Sequence, residues 1–421
     1  MGLVGSGARV DGGAGVEARS GRVQQLADVW SLRVDAPLRI VLPDQSRLDL
    51  GTPARVTLRI HDRSLIAELA APTFESLGEA YIDGRLDVDG DLLEALPIGE
   101  RIVEAGGASV AQRALQSWRR HRRPDDRSAI GHHYDVGNDF YRLWLDEDMV
   151  YSCAYYRTGE ESIDEAQRAK LEHVCRKLRL APDERLLDVG CGWGALVLHA
   201  ARHHGVRAVG ITLSENQARF ARERVAEAGL DGQVEILLMD YRDLPSRFGA
   251  DAFDKVASIG MFEHVGLRNL PDYFAAIAAV LRDRGLFLNH GITASDVDSR
   301  PVGSGVSDFI GRHVFPHGEL PHLHLAVREM SAAGFEVVDV ESLRPHYART
   351  LAQWYRRLES SSREAMRLVP ARTLRTWRIY LAGCSYGFQQ GWINVYQLLG
   401  SLGRRPGTTE LPHTRDWMYA D

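Results

Sequence analysis

The sequence predicts an α/β protein built on a doubly wound, mostly parallel sheet, with a smaller α+β module ahead of it. Three observations carry this. From residue 185 to 290 short apolar runs alternate with helical patterns, the mark of parallel strands joined by crossover helices. The run Leu186-Leu187-Asp188-Val189 passes straight into Gly190-Cys191-Gly192-Trp193-Gly194 and then a helical stretch, which is a strand feeding a glycine-rich turn. The notable polar groups Gly190, Thr212, Asp240, Glu263 and His290 each stand at the carboxyl end of a predicted strand, where open α/β sheets bind ligands.

The chain has 421 residues, 44% hydrophobic and 26% charged, enough for two globular domains. A net charge of −6 argues against bulk nucleic-acid affinity. No apolar run is long enough to span a bilayer and no signal-peptide pattern is present, so a cytoplasmic setting is expected. The four cysteines (153, 175, 191 and 384) lack paired spacing, so neither a disulfide framework nor a zinc site is expected.

Residues 1–20 are rich in Gly and Ala and read as a disordered lead-in. Residues 21–105 form the small module. Leu38–Leu42 and Arg55–Ile60 alternate like strands, turn residues separate them, and Leu77–Gly84 and Leu92–Leu96 follow. No cluster of His, Cys or Asp marks it for chemistry, so docking or oligomerisation is its expected role. Residues 106–130 form a basic linker. Its run Arg119–Arg127 is either a solvated spacer or a tether to an anionic membrane surface, where each basic residue contributes about 1 kcal/mol.

The main domain is placed at 131–405 and a tail at 406–421. It opens with Gly131-His132-His133-Tyr134-Asp135-Val136-Gly137-Asn138-Asp139-Phe140-Tyr141 and Tyr151-Ser152-Cys153-Ala154-Tyr155, polar groups crowded among aromatics as in a site lining. Ser162–Glu165 and Ser214–Gln217 read as capping boxes that start helices. Further strands are expected at Ala208–Ile211, Val234–Met239, Phe253–Ile259, Gly285–Asn289 and Phe335–Val340, and helices at 347–359 and 371–399. Trp377, Tyr380, Cys384 and Phe388 fall on one face of the last helix, as core or as the wall of an apolar channel. The His and Pro residues at 313–324 have no regular ligand spacing and read as a polar loop.

A dinucleotide site would want Gly-x-Gly-x-x-Gly and an acid ending the second strand; here the loop is Gly-x-Gly-x-Gly and the strand ends in Thr212-Leu213. The loop resembles motif I of the S-adenosylmethionine-dependent methyltransferases. The wider set resembles the cyclopropane-fatty-acyl-phospholipid synthase family, which includes the mycolic acid cyclopropane synthases. The matching pieces are His133–Phe140, Tyr151–Tyr155, Leu187–Gly194, Gly210–Gln217, Asp240-Tyr241-Arg242-Asp243, Gly260–Gly266, Tyr347–Leu351 and the Cys384 helix, over residues 130–400. The N-terminal module resembles the sterol-carrier-like domain of the phospholipid-modifying members.

The resemblance implies a Rossmann-like class I methyltransferase fold with a helical substrate-binding insertion. It implies methyl transfer from S-adenosylmethionine to a cis double bond of an unsaturated phospholipid acyl chain, with a carbocation deprotonated by bound bicarbonate. Carried over by motif, the bicarbonate set is Cys153, Glu263, His290, Ile292 through its backbone, and Tyr347. The cofactor set is Tyr151, Ser152, Asp188, Gly190, Gly192, Gly194, Thr212, Leu213, Gln217, Asp240 and Tyr241. Cys384 is the family's traditional active-site cysteine; nothing near it in sequence would depress its pKa, so a pocket-lining role is favoured. The resemblance also implies a homodimer at the inner face of the cell membrane. Three alternatives stay open: a fatty-acyl C-methyltransferase giving methylene or methyl-branched products, a soluble small-molecule methyltransferase, and a lipid carrier without catalysis.

Overall fold

The computed structural model describes residues 36–69, 72–105, 136–300, 319–403 and 411–419. The basic run at 119–127, the His132–Asp135 part of the aromatic motif and the histidines 313 and 317 lie outside the described residues. The chain divides into two compact units, one holding the described residues up to 140 with 358–387, the other holding the rest.

The first unit carries β1 (Leu38–Val41), β2 (Arg47–Asp49), β3 (Val56–Ile60) and β4 (Leu86–Asp89) in the order β2-β1-β3-β4, with β1 and β3 parallel. Leu38, Ile40, Val56 and Ile60 alternate along β1 and β3 and bury one face of the sheet against Ile98 and Ile102 of the helix Leu92–Ala105. A second helix, Phe74–Ile82, starts from a capping box in which Thr73 and Ser76 satisfy each other's backbone N–H groups. The unit also takes in most of the helix Ala371–Gln390. There Arg372 pairs with Asp83, Arg375 with Asp87 and the Tyr81 carbonyl, and Tyr386 with Glu100. Arg375 also lies 5.0 Å over the Tyr81 ring, a cation–π contact.

The second unit is a seven-stranded sheet formed by β5 (Arg185–Val189), β6 (Arg207–Thr212), β7 (Val234–Leu238), β8 (Phe253–Ile259), β9 (Leu281–Ala294), β10 (Phe335–Ser342) and β11 (Ile393–Leu402). Their order is β10-β11-β9-β8-β5-β6-β7. The four pairings from β9 to β7 are parallel, and β11 runs antiparallel to both its neighbours. This is the expected α/β fold. Neighbouring residues of its central strands enter two different cores, Leu186 and Ala208 one, Leu187 and Val209 the other, so both faces of the sheet are covered. The capping box at Ser162 and Glu165 starts the helix Ile163–Lys177, and the Ser214 side chain caps Glu215–Glu227.

Two expectations fail. The strand expected at Gly285–Asn289 runs on to Ala294, because β11 pairs with it as far as that residue, so His290 lies inside β9 and not at its end. A continuous helix over 371–399 is replaced by a helix ending at Gln390 and a strand beginning at Ile393. Gly391 takes a left-handed φ of 72°, which ends the helix. Beyond it the β-branched Ile393 and Val395 favour extended backbone, and β11 slots between β9 and β10. No helix among the described residues is long and apolar enough to cross a membrane.

Candidate functional site

The glycine loop sits where the strand order reverses, between β5 and β8, the place at which a doubly wound sheet opens a ligand crevice. Gly190, Gly192 and Gly194 all have positive φ (87°, 55° and 84°), which a side chain would strain. The Gly190 and Cys191 N–H groups both donate to the Ile211 carbonyl, at 3.0 and 2.9 Å. That close approach requires Gly210, whose Cβ would stand 2.9 Å from the Cys191 sulfur. At Gly192 a Cβ would meet no atom within 4 Å, so the loop presents open backbone there. Arg224 holds the loop from behind: it donates to the Trp193 carbonyl at 3.3 Å and pairs with Asp148 at 2.6 Å.

The next strand ends supply polar groups. Thr212 donates to the Gln217 side chain at 2.9 Å, and Leu213 beside them is 69% exposed, unusual for a large apolar residue. Asp240 is held by Arg242 through a two-point ion pair at 3.0 and 2.6 Å. The Tyr241 ring lies in the core, edge-on to Tyr273 at 5.5 Å.

The Tyr151–Tyr155 segment is strapped from two sides. From the helix Ile163–Lys177, Gln167 donates to the Ser152 carbonyl at 2.9 Å and Lys170 donates to the Ser152 hydroxyl at 3.0 Å. From the helix Arg344–Ser360, Thr350 accepts the Ala154 N–H at 3.1 Å and His346 accepts the Tyr156 N–H at 2.9 Å. Tyr151 packs among Tyr141, Trp144 and Trp354, with ring centroids 5.4–5.7 Å away. Lys170 and Asp188 are both buried. Burial draws the Lys170 amine down to about 8 and pushes the Asp188 carboxyl up to about 7, and each partly offsets the other. Sequence reading missed Gln167 and Lys170. The signal was there: residues 163, 167, 170, 174 and 177 form one buried helical stripe, and three of them are polar.

Glu263 lies in the turn that follows β8, and His290 lies inside β9 opposite Ile259, the last residue of β8. Gly260 turns the chain with φ 69° and a single 3-10 turn, Phe262–His264, follows. Gly291 lets β9 pass over that turn; a Cβ there would lie 2.1 Å from the Phe262 ring. One Glu263 oxygen, Oε1, accepts the Ile292 N–H at 2.7 Å. The other, Oε2, and His290 Nε2 are buried without a hydrogen-bond partner among the described residues. Burial pushes the Glu263 carboxyl up to about 7 and the His290 imidazole well down. Gln397 on β11, opposite His290 in the ladder, donates its amide to His290 Nδ1 at 3.3 Å, which leaves the ring proton on Nε2.

Tyr347 and Cys153 join this group through Leu343. Val395, paired with Ile292, accepts the Leu343 N–H at 2.9 Å. The Leu343 carbonyl accepts the Tyr347 N–H at 3.0 Å and lies 3.8 Å from the Cys153 sulfur. Burial raises the Cys153 thiol, which stays protonated at neutral pH. Tyr347 stacks against Phe388 at 4.7 Å. Cys384 is described in the other unit; it is buried and its thiol is likewise raised by burial.

The set as a whole offers an open glycine loop, a buried carboxyl and a buried imidazole at the carboxyl side of one sheet. Comparison with known proteins places the chain in a family. The family model described as mycolic acid cyclopropane synthetase matches residues 121–398. A probable fatty acid methyltransferase of Pseudomonas putida is 48% identical over 91% of this chain and 96% of its own. The cyclopropane-fatty-acyl-phospholipid synthase of Escherichia coli K12 is 38% identical over 65% of this chain and 68% of its own. Among solved structures, the mycolic acid cyclopropane synthase CmaA1, complexed with SAH and CTAB, superposes with a TM-score of 0.60 at 34% identity, covering 67% of this chain and 99% of its own. The chain therefore belongs to the mycolic acid cyclopropane synthetase family and is an S-adenosylmethionine-dependent methyltransferase.

Proposed function

We propose that the protein transfers the methyl carbon of S-adenosylmethionine to the cis double bond of unsaturated phospholipid acyl chains and closes a cyclopropane there. The observation that carries this reading is two buried polar atoms without hydrogen-bond partners among the described residues, Glu263 Oε2 and His290 Nε2, the first on a turn whose Phe262 and Val265 pack in the apolar core. A methyltransferase acting on an amine or hydroxyl has a nucleophile in its substrate. An alkene is a poor nucleophile, and the cation it forms must be kept from water until a proton leaves.

The chain's residues divide that work. Gly190, Gly192 and Gly194 bring bare backbone to the methionine end of the donor, and Asp188 meets its amino group. Thr212 and Gln217 serve the ribose, with Leu213 as an apolar platform for adenine beside Asp240 and Tyr241. Tyr151 and Ser152 close over the sulfonium, held by Gln167 and Lys170. The Tyr347 face, backed by Phe388, stabilises the developing cation.

The donors His290 Nε2–H, protonated Glu263 and the Cys153 thiol suit a small anion, and the two unpartnered atoms are where it would be held. Bicarbonate, when bound, would supply the base for the departing proton. Ile292 acts through Glu263, whose Oε1 already takes its N–H. Cys384 is assigned no covalent step.

A second reading, methyl branching or methylene formation from the same cation, is favoured by the identity with the Pseudomonas putida relative over most of the chain. Both readings are tested by incubating the full-length enzyme with deuteromethyl donor and cis-unsaturated phospholipid vesicles, with and without bicarbonate, and analysing the lipids by mass spectrometry. Ring and methylene products lose one donor hydrogen, whereas a methyl-branched alkene, formed when the cation loses a proton from the acyl chain instead, keeps all three. Mild hydrogenation then adds to a methylene and leaves a ring intact. Turnover on a soluble acceptor with none on vesicles would overturn both.

A further inference from the structure

Outside the residues assigned to methyl transfer, two helices face each other with a set of metal-ligating side chains. Glu172 and Cys175 lie one turn apart on Ile163–Lys177, while His199 and His204 come from Ala195–His204. One ligand atom from each of Cys175, His199 and His204 falls within 4.8 Å of the other two. Glu172 Oε2 stands 3.2 Å from His199 Nε2 and 3.1 Å from His204 Nε2. We propose that Glu172, Cys175, His199 and His204 form a binding site for a zinc-class divalent cation that clamps these two helices together.

The donor set fits such an ion. One thiolate, two imidazoles and one carboxylate complete a tetrahedron, the arrangement of structural zinc. With metal–ligand bonds of about 2.0–2.1 Å, neighbouring nitrogen and oxygen ligands of a tetrahedron stand roughly 3.3 Å apart. The two Glu172–imidazole separations already match that edge. The sulfur–imidazole edges, at up to 4.8 Å, have about an ångström to close, within the swing of an imidazole ring, and Glu172 joins through its two imidazole contacts. Burial raises the Cys175 thiol, so metal binding has to drive its deprotonation. On binding, the Cys175 thiol releases its proton to solvent as the sulfur–metal bond forms.

The surroundings also suit an ion. Glu172 Oε1 is oriented by Arg176 at 2.9 Å, the kind of outer contact that fixes a ligand. Glu172 and His204 keep 27% and 19% of their side-chain surface open, whereas Cys175 is fully buried, so an ion enters past the first two. A bound ion would brace the glycine loop, because one helix begins at Gly194 and the other carries Gln167 and Lys170.

The test uses the full chain stripped with chelator and titrated with Co2+. The expected result is saturation at one equivalent, with a sulfur-to-cobalt charge-transfer band, intense visible bands of a four-coordinate ion, and displacement by Zn2+. Cys175→Ser should abolish the charge-transfer band. His204→Gln should weaken Co2+ binding by tenfold or more, on the order seen when supporting metal ligands are lost. Absence of the band in the wild-type protein, or its persistence in Cys175→Ser, would overturn the site. Should Cys175→Ser fail to fold, the partly exposed His204→Gln decides, and unchanged Co2+ affinity there rejects the proposal.

Discussion

Replacing Glu263 by Gln should abolish turnover and at the same time stabilise the folded protein above neutral pH. Burial raises this carboxyl from its ordinary value near 4.5 to about 7, with the Ile292 N–H bond opposing the rise. A carboxyl with a raised folded-state pKa binds its proton more tightly folded than unfolded. Stability is therefore full below pH 4.5, falls as pH rises, and the loss is complete above pH 7. A factor of ten in proton affinity is worth about 1.4 kcal/mol, so the charged form costs about 3 kcal/mol at pH 8. Only 8% of Glu263 is exposed, so solvent screening removes little of this. Glutamine keeps an oxygen for the Ile292 N–H and never ionises. Urea denaturation without donor should show the variant about 2–3 kcal/mol more stable at pH 8, and roughly half of that at pH 5.5. The raised carboxyl of Asp188 acts in the same direction in both proteins and cancels from the difference. Affinity for S-adenosylmethionine should be unchanged by calorimetry, while labelled-methyl transfer to vesicles disappears. A variant less stable at pH 8, or a difference that does not shrink toward pH 5.5, would refute the charged-state argument. Full turnover would remove Glu263 from the chemistry.

Three further outcomes follow from the geometry. Lys170→Met removes the bond to Ser152 and the cation beside Asp188, so donor affinity should fall about tenfold, roughly the 1.4 kcal/mol of one charge-assisted contact, with kcat less affected; calorimetry and steady-state kinetics separate the two. Gly192→Ala puts a methyl group into open space at a left-handed residue, costing about 1 kcal/mol in stability, yet it should block the donor; a folded protein that still binds tightly would show that the loop is not the contact. Gln397→Glu would accept a proton from His290 Nδ1 and turn Nε2 into an acceptor, so kcat should fall by about 10–100-fold with donor affinity intact, and nitrogen chemical shifts should report the changed tautomer.

Much of the architecture was legible because it rests on local rules. The strand–turn–helix at Leu186–Gly194 and the Ser162 capping box are each satisfied within a few residues of chain, so composition and spacing reveal them. The position of Glu263 just past β8 was legible for a related reason: strand ends converge on one edge of a parallel sheet; His290 instead lies within β9, opposite the last residue of β8. Partners supplied from far along the chain were not legible. Gln397 sets the His290 tautomer only because β11 inserts beside β9, and the pattern over 393–399 fits a helix continuation nearly as well as a strand. Lys170 and Gln167 stand out as polar positions on a buried helical stripe, but their partner, Ser152, is set only by the fold. The same holds for Glu172, Cys175, His199 and His204: His199 and His204 have a spacing that zinc sites use, but only the fold brings the helix with Glu172 and Cys175 against them. Local signals thus locate the edge of the sheet where the glycine loop and the candidate site lie. The protonation states there are set by contacts across the sheet, and those depend on the insertion of the antiparallel strand, a long-range pairing that no local spacing encodes.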